Sequence, residues 1–433
     1  MSLLPKSLKM LPGLLLLSVL AARAADVPYR TAPIDDRIRT LQVYRADSWE
    51  EEPVIGLDTD RQVLIAFDEM SHDFRQMGYR LLHCDARWMP SGLHEMEYME
   101  GFSENEFPEG QVSQGTLVEY THYELMLPND DVRLKLSGNY AVEIFDRDDP
   151  QQILACACFS VLDARFTLNA RVNAQTDRGY NERFQQVEFE LYPSGNRLDR
   201  PDTDLKVVVR QNRRRDTEVW NVQPLMTGAD RLVYRHRPEL VFEGGNEYRR
   251  FDISNFKLAG YGVDRLEFRR PLYHAFLWPD QPRVLGYTYD QDQNGRYLVR
   301  ARQAFDDSRC EADYLWVHFS LPMPQALPGD GGLYLLGDLT DGRPGQARMT
   351  YNADTRAYEQ ELLLKQGAYN YLYVWRQASE DAAGNAAEIP ASRVEGSYWN
   401  TGNEYQIYVY YRPFGADYDA LCGYVSFSSA STQ

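Results

Sequence analysis

Short stretches in which apolar and polar residues alternate recur from about residue 38 to the C-terminus, separated by Asp, Asn, Gly and Pro. A period of two sends neighbouring side chains to opposite faces, so the pattern predicts strands. Ile38 to Tyr44, Val63 to Phe67, Tyr79 to Cys84, His122 to Leu127 and Tyr140 to Phe145 all read this way. A tight turn at Ser137-Gly138-Asn139 feeds the strand that follows, and Asp148-Asp149-Pro150 turns it back into Ile153 to Leu162. Immunoglobulin-like sandwiches commonly close with such a pair. Val187 to Tyr192 and Leu205 to Arg210 flank the turn Pro193-Ser194-Gly195-Asn196, Gly244-Gly245-Asn246-Glu247 supplies another turn, and Tyr287 to Leu298 predicts a hairpin with an acidic tip. Further on, Tyr314, Trp316 and His318 share one strand face, and Leu315, Val317 and Phe319 share the other. Lys365-Gln366-Gly367 predicts a hairpin turn between two strands, with the glycine allowing a positive φ or a close approach. Tyr405 to Tyr411 and Leu421 to Ser428 form the last pair. The fold class is therefore all-β, with tandem immunoglobulin-like or early-set β-sandwich domains: N-terminal 26–163, central 164–310 and C-terminal 311–433. Abundant tyrosine (30) and phenylalanine (18) favour sheet, because rings pack well on a pleated surface.

The first 25 residues have a different pattern. Lys6 and Lys9 precede an apolar run, Leu14 to Leu20, that is too short to span a bilayer and ends in Ala21-Ala22-Arg23-Ala24-Ala25. This is the layout of a signal peptide over residues 1–25, cleaved after Ala24 or Ala25. No cysteine stands at the boundary for a lipid anchor, and no later stretch is apolar enough for a membrane helix, so an exported protein with no direct membrane span is expected. The full chain carries a formal charge of −18, and removal of Lys6, Lys9 and Arg23 makes the mature chain more acidic still. Such a field repels nucleic acid and anionic lipid, and it leaves a neutral or basic protein as the easier partner. Arg213-Arg214-Arg215 is followed at once by Asp216 and Glu218, which fits a hairpin end better than a phosphate-binding patch. The five cysteines are few for a disulfide-stapled exported chain, and their odd number leaves at least one thiol without an internal partner. Cys156 and Cys158 share a strand face but are poorly placed to bridge each other; Cys84 with either of them remains open.

Catalytic constellations are missing from the pattern. There is no Gly-x-Ser-x-Gly elbow, no phosphate-cradling glycine loop and no His-Glu-x-x-His helix. His83, Cys84, Asp85 and His94 are ligand types in an order that matches no zinc spacing, and they read as structural. Asp290, Asp292 and Asn294 alternate like a calcium loop, followed by Gly295, yet no closing Glu and no flanking helices accompany them; a solvated hairpin tip is the expectation. Glu95, Glu97, Glu100, Glu104, Glu106 and Glu109 read as an exposed, charged excursion rather than as a glycosidase carboxylate pair. Glu395, Asn400, Thr401 and Asn403 form a polar loop expected to satisfy backbone groups locally. No catalytic, cofactor-binding or metal residue is assigned, no cofactor is expected, and the chain reads as non-enzymatic.

The plan Leu-Tyr-Leu-Leu-Gly-Asp, Met-Thr-Tyr-Asn, then Lys-Gln-Gly-Ala-Tyr-Asn-Tyr in the last unit resembles the glycogen- and starch-binding sandwich modules. Gly337 is followed by Asp338-Leu339-Thr340-Asp341 with no tryptophan, so the stacking platform of those modules is missing, and a carbohydrate-binding module protein stands only as the alternative function. A second resemblance runs along the whole mature chain. Leu136 to Tyr140, Phe242 to Asp252, Leu364 to Tyr371, Val394 to Tyr398, Thr401 to Tyr405, Tyr410 to Arg412 and Tyr418 to Gly423 occur in an order and spacing similar to the plug protein family of the bacterial type IX secretion system. That family occurs in Bacteroidota. The resemblance implies a periplasmic, non-catalytic protein that binds and closes the periplasmic opening of the outer-membrane translocon barrel, and so lies peripherally at the outer membrane. It supplies no catalytic residues, and neither nucleic acid nor a small-molecule substrate is an expected partner.

Overall fold

The computed structural model describes residues 27–176, 178–195, 198–305, 307–377 and 391–431, so the expected signal peptide lies outside the described residues. The strands assemble into three sandwiches, each of two mainly antiparallel sheets. In the first, Ala32–Pro33, Ile153–Leu162, Gly138–Asp146, Met77–Cys84 and Asn105–Glu106 form one sheet in that order. Ile38–Arg45, Val63–Glu69, Thr121–Leu127 and Gln111–Val112 form the sheet facing it. Their inner faces bury Phe67, Tyr79, Tyr123, Tyr140 and Phe159 among aliphatic side chains. Gly138–Asp146 is buried at nearly every position rather than at every second one. A strand so buried has both faces covered, and here the second cover is the next sandwich.

The second and third sandwiches do not follow the expected division into 164–310 and 311–433. Leu205–Gln211 pairs with Glu404–Tyr411 over its whole length, and Glu404–Tyr411 pairs with Ala420–Ser428. The last two strands therefore complete the second sandwich, whose core unites Phe166, Phe189 and Tyr234 with Tyr405, Ile407 and Cys422. Arg249–Asp252, Val263–Arg269, Leu272–Leu277 and Tyr297–Val299, expected in the central unit, belong to the third sandwich, where Phe251 packs with Phe319, Tyr371 and Trp375. The third sandwich is thus an insertion within the second. Alternation reveals that a strand exists and which side chains it buries, but not which sheet it joins across some two hundred residues.

Each core centres on a stacked aromatic pair whose members sit directly opposite each other on adjacent strands. These are Tyr140 and Phe159 (centroids 5.5 Å apart), Phe189 and Tyr234 (4.2 Å), and Phe251 and Tyr369 (5.2 Å). A cross-strand aromatic pair contributes roughly 0.2–1 kcal/mol, and a one-residue slip would turn both rings out of the core, so these pairs fix register.

Two local expectations change. Ala357–Lys365 and Gly367–Gln377 lie in different sheets, so Lys365-Gln366-Gly367 is a corner between sheets and not a hairpin turn. Gly367 is required by close approach, because a Cβ there would stand 2.3 Å from the Leu298 carbonyl oxygen. The predicted hairpin from 287 to 298 is instead a long irregular excursion, 278–296, that ends in the short strand Tyr297–Val299.

Candidate functional site: the joints between the sandwiches

Some of the polar residues singled out in the sequence, and others that were not, gather where sandwiches meet. Between the first and third sandwiches, Asp68 is fully buried on the outward face of Val63–Glu69. Tyr314 and Lys365 are cross-strand partners in the third sandwich, so their tips arrive together: the Tyr314 hydroxyl and the Lys365 Nζ each donate to Asp68 Oδ2 at 2.6 Å. His122 Nδ1 lies 2.7 Å from Asp68 Oδ1, and Lys365 Nζ also donates to the Arg309 carbonyl at 2.6 Å, 4.2 Å from the Tyr120 ring centre. Burial works against the Asp68 carboxylate, but Lys365 and His122 outweigh it and hold its pKa below the ordinary value. Burial draws the Lys365 ammonium down against the pull of Asp68, whereas the His122 imidazole, burial notwithstanding, is raised by Asp68 and Glu124. Around this centre, the Leu117 and Val118 amides donate to Asp313, and the Thr40 amide donates to Asp341 at 2.9 Å.

The joint between the first and second sandwiches is mostly apolar. Val208, Tyr408, Tyr410 and Leu421 on the outer face of the second sandwich pack against Val54, Ala86 and Leu162 of the first. At its polar edge, Asn139 Oδ1 accepts from Ser160 (2.8 Å) and Tyr410 (3.0 Å), and its amide donates to the Asp85 carbonyl. Asp419, fully buried, accepts from Lys206 Nζ and from the Ala86 amide at 3.0 Å. The expected hairpin end at Arg213 is a turn with positive φ at Asn212 and Arg213, and its three arginines face three ways. Arg213 reaches Asp338 of the third sandwich at 2.5 Å and Glu52 of the first at 3.2 Å; Arg214 pairs with Asp216; Arg215 stacks 4.8 Å over Trp88 of the first. Cys84, Cys156 and Cys158 cluster with Trp88 beneath this contact. All five cysteines are free and buried. Cys84 and Cys158 stand on strands separated by Gly138–Asp146, hence roughly 10 Å apart and beyond disulfide reach.

Between the second and third sandwiches, the segments 242–252 and 394–405 interlock. Asn246 donates to the Glu395 carbonyl (3.0 Å), Tyr398 N–H to Gly245 (2.9 Å), Gly402 N–H to Glu247 (3.0 Å), and Asn403 to Gly244 (2.7 Å). Gly244 is fixed by this crossing, because a Cβ there would meet the Tyr398 carbonyl oxygen at 2.0 Å. Glu395, expected to satisfy its own loop, is fully buried and grips distant cations: Arg249 on both oxygens at 3.0 Å and Arg283 Nε at 2.7 Å. Thr401 and Asn403 likewise bond across the crossing, not only locally.

The other weighed residues stay apart. His83 is buried with Nε2 on the Ser137 carbonyl (3.1 Å) among the Tyr98, Tyr140 and Tyr418 rings, while His94 begins the short helix Glu95–Tyr98. Asp290 pairs with Arg250 at 2.7 Å; Asp292 accepts the Tyr248 and Asn294 amides and is pushed up to about 7 by burial. Among the described residues, no group of three or more His, Cys, Asp or Glu is arranged to hold a metal. Glu100, Glu104 and Glu106 of the acidic excursion each face their own arginine: Arg133, Arg80 and Arg147.

Residues 38–163, the extent of the first sandwich, match the family model described as the first domain of the type 9 secretion system plug protein. The crystal structure of a hypothetical protein from Parabacteroides merdae is similar at 39% identity, covers 93% of this chain and 100% of its own, and has a TM-score of 0.88. The chain belongs to the type IX secretion system plug protein family. A likeness to the partial N-terminal region of an enterococcal surface protein, at 9% identity and a TM-score of 0.16, carries no argument. No curated protein matches the chain. Plug-family membership and an all-β body fit a structural role in type IX secretion and a periplasmic location near the outer membrane. No helix among the described residues is long and apolar enough to cross a membrane. The segments that carried the family resemblance are largely the joint-forming ones: Asn139, Glu247, Lys365, Glu395, Asn403, Tyr410 and Asp419. Asp68, Glu52 and Arg296, which pairs with Glu404 at 2.8 Å and lies 3.9 Å from Glu52, escaped notice in the sequence. The available signal for Asp68 was a carboxylate at the end of the apolar run Val63 to Phe67.

Proposed function

We propose that this plug-family protein binds and closes the periplasmic opening of the outer-membrane type IX translocon barrel without catalysing a reaction. The observation that carries the reading, beside family membership, is the way three sandwiches are tied into one body. Closing a wide pore calls for a solid of more than one domain that does not hinge open under load, and separate sandwiches on linkers would move independently by default. Here the ties are buried charge pairs, apolar sheet-on-sheet contact and crossed loops. The leader expected from the sequence and the acidic charge agree with a periplasmic body attached through its protein partner. The test is capture of tagged protein from solubilised outer membranes, with the co-purifying chains identified by mass spectrometry. Recovery of one very large barrel protein at stoichiometric yield is the expected result. Retention of a polysaccharide or an unrelated partner in its place would overturn the proposal.

A further inference from the structure

The excursion 278–290 of the third sandwich is irregular in backbone but firmly held. The Trp278 amide donates to the Gly262 carbonyl (3.0 Å), and Asp280 accepts the hydroxyls of Tyr371 and Tyr373 (2.7 and 2.6 Å) and Arg249 (2.7 Å). Arg283 is bound to Glu395 and to the Glu247 carbonyl, and the Tyr287 hydroxyl donates to Glu247. At the far end, Asp290 pairs with Arg250, whose guanidinium lies 4.6 Å over the Tyr261 ring. Both ends of the excursion therefore meet the segment 258–262, the layout of a compact Ω-like loop.

What this fixed loop displays is apolar. Leu285 is 100% exposed, Tyr289 77% and Trp278 61%, with Val284 on the crest and Leu258 and Tyr261 at the base also exposed. Exposed Trp, Tyr and Leu held by buried ion pairs form an anchor surface that loses little freedom on binding. The charges of the loop itself are matched, with Asp280 and Asp290 each holding an arginine and Arg283 bound to Glu395, and Lys257 is the one exposed cation beside Leu258. The whole chain is acidic, at −18. Complementarity to a neutral, aromatic surface on an acidic body selects an uncharged, apolar protein surface and disfavours an anionic lipid leaflet.

We propose that the 278–290 loop, with Leu258 and Tyr261, is the surface by which the protein docks on apolar side chains at the rim of its barrel partner; this rests on the function proposed above. The test compares three full-length proteins in the outer-membrane capture: wild type, the triple variant Trp278→Ala, Leu285→Asp, Tyr289→Ala, and a control, Met96→Ser with Phe102→Ser, that alters exposed apolar residues of the acidic excursion. The triple variant is expected to melt as wild type does and to recover about tenfold less barrel protein or lower still, the control to recover it fully. Equal recovery by the triple variant, or equal loss by the control, overturns the assignment of this surface and leaves the plug function standing. Failure of wild type to capture the barrel overturns both. Co-sedimentation of wild type, but not the triple variant, with vesicles of phosphatidylethanolamine and phosphatidylglycerol overturns the assignment in favour of membrane insertion.

Discussion

The first sandwich is joined to its two neighbours by different physics. Toward the third it presents a buried carboxylate, Asp68, gripped by Lys365, Tyr314 and His122; toward the second it presents a packed apolar face around Val54, Tyr408, Tyr410 and Leu421. A buried ion pair adds little net stability over an apolar isostere, but breaking one half of it is severe, whereas an apolar face loses stability in proportion to the volume removed. The charged joint therefore acts as a geometric key that tolerates no partial match, and the apolar joint as a broad adhesive contact. The difference teaches that polar residues can be held in place by assembly and not by chemistry.

The comparison is broken most sharply at the charged joint. Lys365→Met leaves Asp68 buried with His122 as its remaining cation and is expected to cost about 3–5 kcal/mol in denaturant unfolding, with much of the loss recovered by adding Asp68→Leu. At the apolar joint, Leu421→Ala removes a fully buried side chain and is expected to cost about 2–4 kcal/mol, with no second-site rescue by a charge change.

The two joints should also separate by pH. The folded pKa of His122 is raised, so its contribution is fully present below its unfolded value of about 6.5 and is lost as pH rises through the folded value. Asp68 is depressed, so its contribution is present above its unfolded value of about 3.9 and is lost as pH falls through the folded one. His122→Gln is expected to lower stability by about 1–2 kcal/mol near pH 5.5 and by progressively less toward pH 8, read from melting curves across that range, while Leu421→Ala costs the same throughout. The smallest effect belongs to the exposed loop: Leu285→Asp should change unfolding free energy by less than about 0.5 kcal/mol, since Leu285 packs on nothing.

The strands themselves were legible, because an alternation such as His122 to Leu127, which puts Tyr123, Leu125 and Leu127 in the core, is satisfied by a strand with one face turned inward. Even the two faces of Tyr314–Pro322 came out as read, with Leu315, Val317 and Phe319 in the core and Tyr314 outward. The grouping of strands into sandwiches was not legible beyond the first. Glu404–Tyr411 follows the third sandwich in sequence, and nothing local in Tyr-Gln-Ile-Tyr-Val says that its partner is Leu205–Gln211. The same distance hid the roles of polar residues: Glu395 looks like a loop carboxylate until Arg249 and Arg283 are brought to it. Asp290 and Asp292 alternate like ligands in sequence, yet in the fold Arg250 and two backbone amides take up the aspartates, a competition that spacing alone does not display.

The central claim, that one rigid body of three sandwiches closes the barrel, is tested most directly by ion conductance of the purified translocon barrel in a planar bilayer, with the protein added to the periplasmic side. The account predicts that wild type closes the open barrel and that Lys365→Met, with its charged joint broken, closes it less completely. Conductance unchanged by saturating wild-type protein would contradict it.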